Sequence, residues 1–320
     1  MSCIKNPKSS GRYLVTGGAG FIGSHIVHEL VKQGSYVRIL DNFSSGKICN
    51  LKGCEKKIDL IKGDICSKAT CIKTTKNIDF VLHQAALRSV PRSMKEPHEY
   101  NRVNIVGTLN MLEASRQNKV KRFIFASSSS VYGEVRSFPE KESFIPGPIS
   151  PYALTKLTGE YYCKIFSLYY GLPAVVLRYF NVFGPRQALD DNYAVVIPKF
   201  IHCLLNNQRP PIFGTGKQSR DFTFVRNIVQ ANLLALRAHK VKYGVFNIAG
   251  GKDTSVLDLA RLLNKILGKN IAPKLLPRRT GDVFRTLADI SMAAKHLHFK
   301  PCVDFVDGLK ITIDYWKKNA

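Results

Sequence analysis

Tyr152 and Lys156 stand four residues apart in the run Tyr152-Ala153-Leu154-Thr155-Lys156. Side chains at i and i+4 share one face of a helix, so a phenol and an ammonium would project together. A cation near a phenol favours the phenolate, and a phenol poised in this way can take the proton of a substrate hydroxyl. Upstream, Ala126-Ser127-Ser128-Ser129-Ser130-Val131-Tyr132-Gly133 sets a run of hydroxyls where a strand would end. Hydroxyls at the C-terminal edge of a sheet can bond a substrate hydroxyl and relay its proton.

A second constellation precedes these. Thr16-Gly17-Gly18-Ala19-Gly20-Phe21-Ile22-Gly23 separates a short apolar run from a helical pattern. It satisfies G-x-G-x-x-G through Gly18, Gly20 and Gly23, and an offset form through Gly17, Gly20 and Gly23. Glycines there allow a tight turn, a backbone that approaches a pyrophosphate, and close packing of helix on strand. The helix start, with Phe21 and Ile22, offers free N–H groups to phosphates. Asp41 ends the next strand, where a carboxylate accepts both ribose hydroxyls of NAD and repels a 2′-phosphate. NAD is therefore expected rather than NADP. Asp64 and Ile65 follow the third strand, where an adenine ring would be held, and Gln84, Ala85 and Ala86 follow the fourth, where small residues let the cofactor lie flat.

These groups need a frame. Strand patterns at 13–16, 36–40, 58–61, 80–82 and 122–126 alternate with helical patterns at 21–32 and 104–117. Such alternation predicts an α/β fold with a doubly wound parallel sheet. After Pro139 a proline-punctuated loop leads to a helix over 151–170, a strand over 172–180, helices over 195–205 and 227–238, and a strand over 245–248. The expected division is a Rossmann domain over residues 1–185, with interleaved returns from later segments, and a smaller mixed α/β substrate domain over 186–320.

Composition narrows the class. The chain has 320 residues, 45% apolar and 22% charged, as ordinary globular domains do. No run of eighteen apolar residues exists and the first ten are polar, so neither membrane insertion nor secretion is expected. Subtracting 23 acidic from 48 basic residues gives +25, a field that attracts polyanions, acidic surfaces or phosphorylated small molecules without choosing among them. The basic residues are spread out, with no run of five, and nucleic acid is an unlikely partner on this pattern. Eight cysteines form no C-x-x-C pair, which reads as free thiols in a reducing cytoplasm, with no metal site.

Taken together, the chain resembles the extended short-chain dehydrogenase/reductase family and, within it, the nucleotide-sugar epimerases. The likeness runs from about residue 13 to near 297. It is carried by T-G-G-A-G-F-I-G at Thr16, D-N at Asp41, G-D-I at Gly63, S-S-S-S-V-Y-G at Ser127, S-P-Y-A-L-T-K at Ser150, R-Y-F-N-V-F-G-P at Arg178, S-R-D-F at Ser219 and R-T-G-D at Arg279. The stretch from Arg178 through Pro198 looks most like bacterial UDP-N-acetylglucosamine 4-epimerases.

The resemblance implies inversion at C4 of a UDP-hexose through a transient 4-keto sugar, with tightly bound NAD. It implies Ser128 and Tyr152 as the proton-handling pair with Lys156 as partner, and Ser129 and Ser130 beside the sugar. Asn42, Asn104 and Tyr179 join the cofactor set, to which Tyr152 and Lys156 also belong. Asn181, Arg220 and Arg279 would hold the diphosphate and Asp282 the uridine ribose. Ala194, Val195, Val196, Ile212 and Phe213 would line the uracil pocket. Thr286 stands where epimerases restricted to UDP-glucose and UDP-galactose carry tyrosine, so it is expected to admit an N-acetyl group. Ser129 and Ser130 replace the Asp-Glu pair of related dehydratases, which argues against elimination. Arg226 departs from the family, which often has Asp there. A UDP-glucuronate 4-epimerase is the alternative within the family; a non-catalytic NAD- or RNA-binding protein is the alternative outside it. Relatives also suggest a homodimer through helices 101–119 and 151–170, with Leu109, Leu112, Tyr161 and Phe166 facing outward.

Overall fold

The apolar runs that precede each turn form the strands of one sheet. A computed structural model describes residues 11–189, 196–277 and 283–319. In chain order its first half comprises β1 (Arg12–Thr16), α1 (Phe21–Lys32), β2 (Tyr36–Asp41), β3 (Ile58–Lys62), α2 (Lys68–Thr75), β4 (Phe80–His83), α3 (Val90–Lys95), α4 (Pro97–Tyr100), a π-helical stretch (Asn101–Val106), α5 (Gly107–Gln117) and β5 (Arg122–Ser128). Then come α6 (Pro151–Tyr169), β6 (Ala174–Tyr179), β7 (Val182–Phe183), α7 (Val196–Leu205), β8 (Pro211–Phe213), β9 (Ser219–Asp221), β10 (Thr223–Phe224), α8 (Val225–Arg237) and β11 (Tyr243–Ile248). The chain finishes with β12 (Asp253–Ser255), α9 (Val256–Leu267), β13 (Lys274–Leu276), α10 (Ser291–Leu297) and α11 (Phe305–Asn319).

Seven strands lie side by side in the order β3-β2-β1-β4-β5-β6-β11, every ladder parallel. This is the doubly wound α/β sheet the alternation predicts. Strands covered on both faces read as continuous apolar runs. In β1, Leu14 and Val15 are both fully buried, and they enter two different cores on opposite faces of the sheet. The winding reverses between β1 and β4, so a crevice opens beyond their C-terminal ends. The strand expected at 245–248 begins two residues earlier, and it extends this sheet beside β6.

Later segments enclose a third core around Phe200, Ile212, Phe222 and Leu259, supported by two-stranded pairs β7/β10, β8/β13 and β9/β12. The helix that should carry Tyr152 and Lys156 is α6. Ser150 caps it by accepting the Ala153 N–H at 3.2 Å, and Pro151 occupies the first turn. Gly159 brings α6 close against β5: a Cβ there would sit 2.3 Å from the Phe125 ring.

The outward faces expected for a dimer need correction. Leu112 and Phe166 are buried against the sheet, whereas Tyr161 is exposed. Leu112 on α5 and Phe166 on α6 thus face inward, and Leu109 packs partly buried against the same core. On α6 a second apolar row, Leu154, Tyr161, Ile165 and Leu168, faces out, and periodicity alone could not say which row was which. No described helix is long and apolar enough to cross a membrane. The seven described cysteines are all unpaired.

Candidate active site

The glycine turn is built as a tight cradle at the β1 end of the crevice. Gly17 has φ +65°, and a Cβ on Gly23 would lie 2.1 Å from the Gly17 carbonyl oxygen. Gly20 donates to that same carbonyl at 3.0 Å. No side chain caps α1 and its first turn holds no acid, so its leading N–H groups face the crevice unclaimed by a carboxylate. These features fit a dinucleotide pyrophosphate. Asp41 is buried and accepts the Ala19 N–H at 2.9 Å and the Phe43 N–H at 2.8 Å. Burial raises its carboxyl above the ordinary carboxylate range, and these two bonds pull it back. Asp64 accepts the Cys66 N–H at 2.8 Å and the Asn42 amide at 3.1 Å.

The β4 end is held by neutral groups. His83 is buried between the hydroxyls of Thr16, 2.8 Å away, and Thr108, 3.1 Å away. Burial and the Lys156 charge push it down to about 3, so it stays neutral. Gln84 reaches the Tyr179 hydroxyl at 3.2 Å, which also accepts from Asn232 at 2.8 Å. Burial pushes that phenol up to about 12, leaving Tyr179 a hydrogen-bonding wall rather than an acid.

Ser128 closes β5, and a 3-10 turn over Ser129–Tyr132 folds Ser130 back so that its N–H donates to Ser128 Oγ at 3.2 Å. The two hydroxyls meet at 3.1 Å. From α6 the Tyr152 phenol comes beside the Ser128 hydroxyl in the cavity wall. Burial raises this phenol, and the Ser128 hydroxyl and the Arg88 charge pull it down. Lys156, expected to supply this downward pull, lines the same cavity. Lys156 is buried, donates from Nζ to the Ala126 carbonyl at 2.9 Å, and lies 5.2 Å from the Phe125 ring centroid. This bond ties α6 to the end of β5. Burial brings its ammonium down to about 8.

One cavity of about 820 Å³ joins the two constellations. Its wall includes Gly17, Gly20, Phe21, Ile22, Gly23, Asp41, Asn42, Asp64 and Ile65 at the turn, and Gln84, Ala85, Ala86 and Tyr179 across the crevice. Ser128, Ser129, Ser130, Tyr152, Lys156 and Asn181 complete the opposite end. Other expected residues stand elsewhere. Asn104 lies behind the wall, bonded to Leu87 and, at 3.1 Å, to the Thr155 hydroxyl. Thr286 is buried and accepts from Asn181 Nδ2 at 2.9 Å. Arg220 donates to the Ser219 and Phe284 carbonyls. Ile212 is wholly inside the third core, the Phe213 carbonyl accepts from Gln218, and Val196 begins α7 against the same core. Ala194, Val195, Arg279 and Asp282 lie outside the described residues.

The sequence reading missed several wall residues: Arg88 and Arg102 on one side, and Lys47, Arg186 and Trp316 on another. Arg186 could have been noticed, since it directly follows the Gly184-Pro185 pair. Its guanidinium donates to the His25 ring at 2.9 Å and the Asn50 carbonyl at 2.8 Å, tying that pair to α1. Trp316 arrives on the last helix, and nothing local in its sequence marks it as a cavity residue.

Comparison with known proteins agrees with this geometry. The chain is 39% identical over 308 residues to a putative UDP-glucose 4-epimerase of Methanocaldococcus jannaschii, covering 96% of this chain and 98% of that protein. A UDP-N-acetylglucosamine 4-epimerase from Methanobrevibacter ruminantium, solved with UDP-N-acetylmuramic acid, superposes with a TM-score of 0.93 at 44% identity, over 98% of this chain and all of that one, 100%. A UDP-glucuronic acid 4-epimerase from Bacillus cereus, solved with UDP-glucuronic acid and NAD, gives 0.90 at 37% identity, over 97% and 100%. The model of one family matches residues 13–249, and on that match the chain belongs to the NAD dependent epimerase/dehydratase family.

Proposed function

We propose that this chain is an NAD-dependent 4-epimerase of UDP-hexoses, with UDP-N-acetylglucosamine and UDP-N-acetylgalactosamine as its main pair and UDP-glucose and UDP-galactose also accepted. The observation that carries the reading is that the Tyr152 phenol and the Ser128 hydroxyl line the same cavity as the glycine turn and Asp41. The activities of the relatives from Methanocaldococcus and Methanobrevibacter support it.

The N–H groups opening α1 would hold the pyrophosphate of NAD, Asp41 the adenosine ribose, and Ala85 and Ala86 the flat face of the cofactor. When bound, NAD supplies the hydride acceptor and donor. Tyr152 takes the proton of the sugar 4-hydroxyl, with Ser128 bridging, and returns it once the sugar has turned over. Lys156 fixes the end of β5 through the Ala126 carbonyl. Ser129 and Ser130 offer no carboxylate for elimination, so the keto sugar is reduced again rather than dehydrated. Asn181, Arg220 and Arg279 hold the diphosphate and Asp282 the uridine. We assign the dinucleotide to residues 1–185 with the returning strand β11, and UDP recognition to 186–320. Two copies pair through the exposed row Leu154, Tyr161, Ile165 and Leu168 of α6. Unpaired cysteines suit a cytoplasmic enzyme. A second reading, epimerisation of UDP-glucuronate, is favoured by the likeness to the Bacillus cereus enzyme.

Product analysis tests the proposal. Purified protein, with no NAD added, is incubated separately with UDP-glucose, UDP-N-acetylglucosamine and UDP-glucuronate. The expected result is the C4 epimer of at least the N-acetylated sugar; no epimer from any of the three overturns the reading.

A further inference from the structure

The cavity wall carries a guanidinium that the proton chemistry leaves unused. Arg88 lines the same cavity as Ser128, Ser130 and Tyr152. Its backbone is gripped from two sides. Buried Asn104 accepts the Leu87 N–H at 2.8 Å and donates to the Leu87 carbonyl at 3.0 Å. The hydroxyl of Tyr100, also buried, donates to the carbonyls of Arg88 and Ser89. The Tyr100 ring meets the Tyr152 ring edge-on, with centroids 6.4 Å apart. Ser89 is held at φ +92°, a conformation that a side-chain-bearing residue keeps only under such constraint. The backbone from which the exposed Arg88 side chain springs is thus fixed beside the Tyr152 ring.

Its neighbours are all engaged. Arg92 pairs with Glu96 at 2.9 Å, and Arg102 with Glu99 at 2.7 Å. Lys156 donates to the Ala126 carbonyl. The carboxylates in the cavity wall are occupied too: Asp41 and Asp64 by N–H groups and Glu99 by Arg102. Among the described residues the Arg88 guanidinium has no hydrogen bond and no ion pair, although its charge reaches the Tyr152 phenol. A guanidinium in the wall shared with the reacting hydroxyls, with no described acid to neutralise it, can take an anion.

We propose that Arg88 forms an anion subsite on the sugar side of the cavity, one that takes a carboxylate carried by the hexose of a UDP-sugar. This rests on the UDP-hexose reading above. A planar guanidinium matches a carboxylate with two parallel bonds, whereas a neutral sugar leaves it to water. The subsite also couples to the phenol. The Arg88 charge favours the Tyr152 phenolate, and a carboxylate seated on Arg88 offsets that charge. The ionisation of Tyr152 therefore moves to higher pH when the bound sugar is acidic.

Titration calorimetry on the NAD-loaded protein tests this, using UDP-glucuronate and UDP-glucose as probes of the same shape that differ in the carboxylate. In Arg88→Gln, the Kd for UDP-glucuronate should rise roughly tenfold while that for UDP-glucose moves by less than about twofold. Arg88→Lys should recover part of the loss, because it keeps the charge without the fork. Added salt should weaken UDP-glucuronate binding to the wild type more than to Arg88→Gln. A ratio of the two Kd values unchanged by Arg88→Gln, or an equal loss for both ligands, overturns the subsite. Binding is read without turnover, so a failed epimerase reading would show separately, as no conversion of any UDP-hexose.

Discussion

Arg178 grips Glu160 with two parallel hydrogen bonds, Nε to Oε1 at 2.9 Å and Nη2 to Oε2 at 2.7 Å, with both side chains 4% exposed. Glu160 lies one helical turn beyond Lys156 on α6 and also accepts from the Ser127 hydroxyl at 2.5 Å. Arg178 precedes Tyr179 on β6, and its guanidinium lies 4.7 Å over the Tyr132 ring. The Tyr132 hydroxyl in turn donates to Asn247 at 2.7 Å. A single ion pair therefore ties together the segments that carry Tyr152, Ser128 and Tyr179, without itself touching the cavity.

Disturbing that pair should move catalysis more than binding. Glu160→Gln leaves a buried guanidinium facing an amide and should cost about 3–5 kcal/mol of stability. Arg178→Lys keeps the charge and loses the fork, so it is the better probe. We expect it to remain folded with NAD content unchanged, and kcat to fall roughly tenfold while KM for the UDP-sugar changes less than about threefold. Steady-state kinetics beside a melting curve reads both; an unchanged kcat in a destabilised protein would reduce the pair to scaffolding.

Removing the phenol hydroxyl is the direct test of the proton step. Tyr152→Phe should lower kcat by roughly 10²- to 10⁴-fold, and Ser128→Ala by a smaller factor in the same range. Neither should empty the dinucleotide cradle, since neither residue belongs to the glycine turn. Bound NAD measured after denaturation should match the wild type. A Tyr152→Phe variant with near-normal turnover would remove the phenol from the mechanism.

The sequence was most readable where one residue type satisfies one local demand. Gly17 and Gly23 are needed by backbone geometry, Asp41 by its place at a strand end, and Tyr152 with Lys156 by helical spacing. Strands buried on both faces were legible as apolar runs for the same reason. What stayed hidden depends on contacts between distant segments. Nothing near Arg88 in the chain says that Asn104 and Tyr100 will pin its backbone, and nothing in the Y-x-x-x-K spacing says that the ammonium will turn to the Ala126 carbonyl. The inward and outward apolar rows of α6 were ambiguous because both are hydrophobic, and only the approach of Gly159 to Phe125 decides between them.

Glycines of the same turn should differ sharply in tolerance. A Cβ at Gly23 would lie 2.1 Å from the Gly17 carbonyl oxygen, with the Gly17 carbonyl carbon at 2.8 Å, and neither atom can move without opening the turn. A Cβ at Gly20 meets only that oxygen, at 3.1 Å. Gly23→Ala should therefore lose bound NAD and about 2 kcal/mol or more of stability, the scale of overpacking. Gly20→Ala should retain the fold. NAD content and melting temperature of the two purified variants check the contrast, and equal behaviour would contradict it.

Thr286 was expected to act as a size gate for the sugar. Its hydroxyl accepts from Asn181 Nδ2 at 2.9 Å and from the Asp221 N–H at 3.3 Å, and its side chain is buried behind Asn181. A tyrosine there would lose the Asn181 bond and press on Asn181, which lines the cavity. We therefore expect Thr286→Tyr to reduce turnover of UDP-glucose and UDP-N-acetylglucosamine by similar factors. Thr286→Val, which loses only the hydroxyl, should raise KM for both about threefold or more, the scale of one lost hydrogen bond. A loss confined to the N-acetylated substrate would restore the gate.

Glu140 supplies a pH dependence whose sign can be worked out. Its carboxyl is buried and pushed up to about 8, chiefly by burial, with the Asp221 charge adding and the Leu287 N–H, Arg220 and Arg178 opposing. An unfolded glutamate titrates near pH 4.3. Between that value and about 8 the folded chain holds a proton that the unfolded chain has released, so the group favours folding at low pH. Its contribution declines as pH rises through this window and levels off above it. Glu140→Gln mimics the protonated form and should flatten the curve, so that the variant gains on the wild type between pH 6 and 9. Denaturant midpoints of both proteins at the two pH values measure the difference. An equal loss in both would mean that Glu140 is already ionised at pH 6, its burial outweighed by the arginines and the Leu287 N–H.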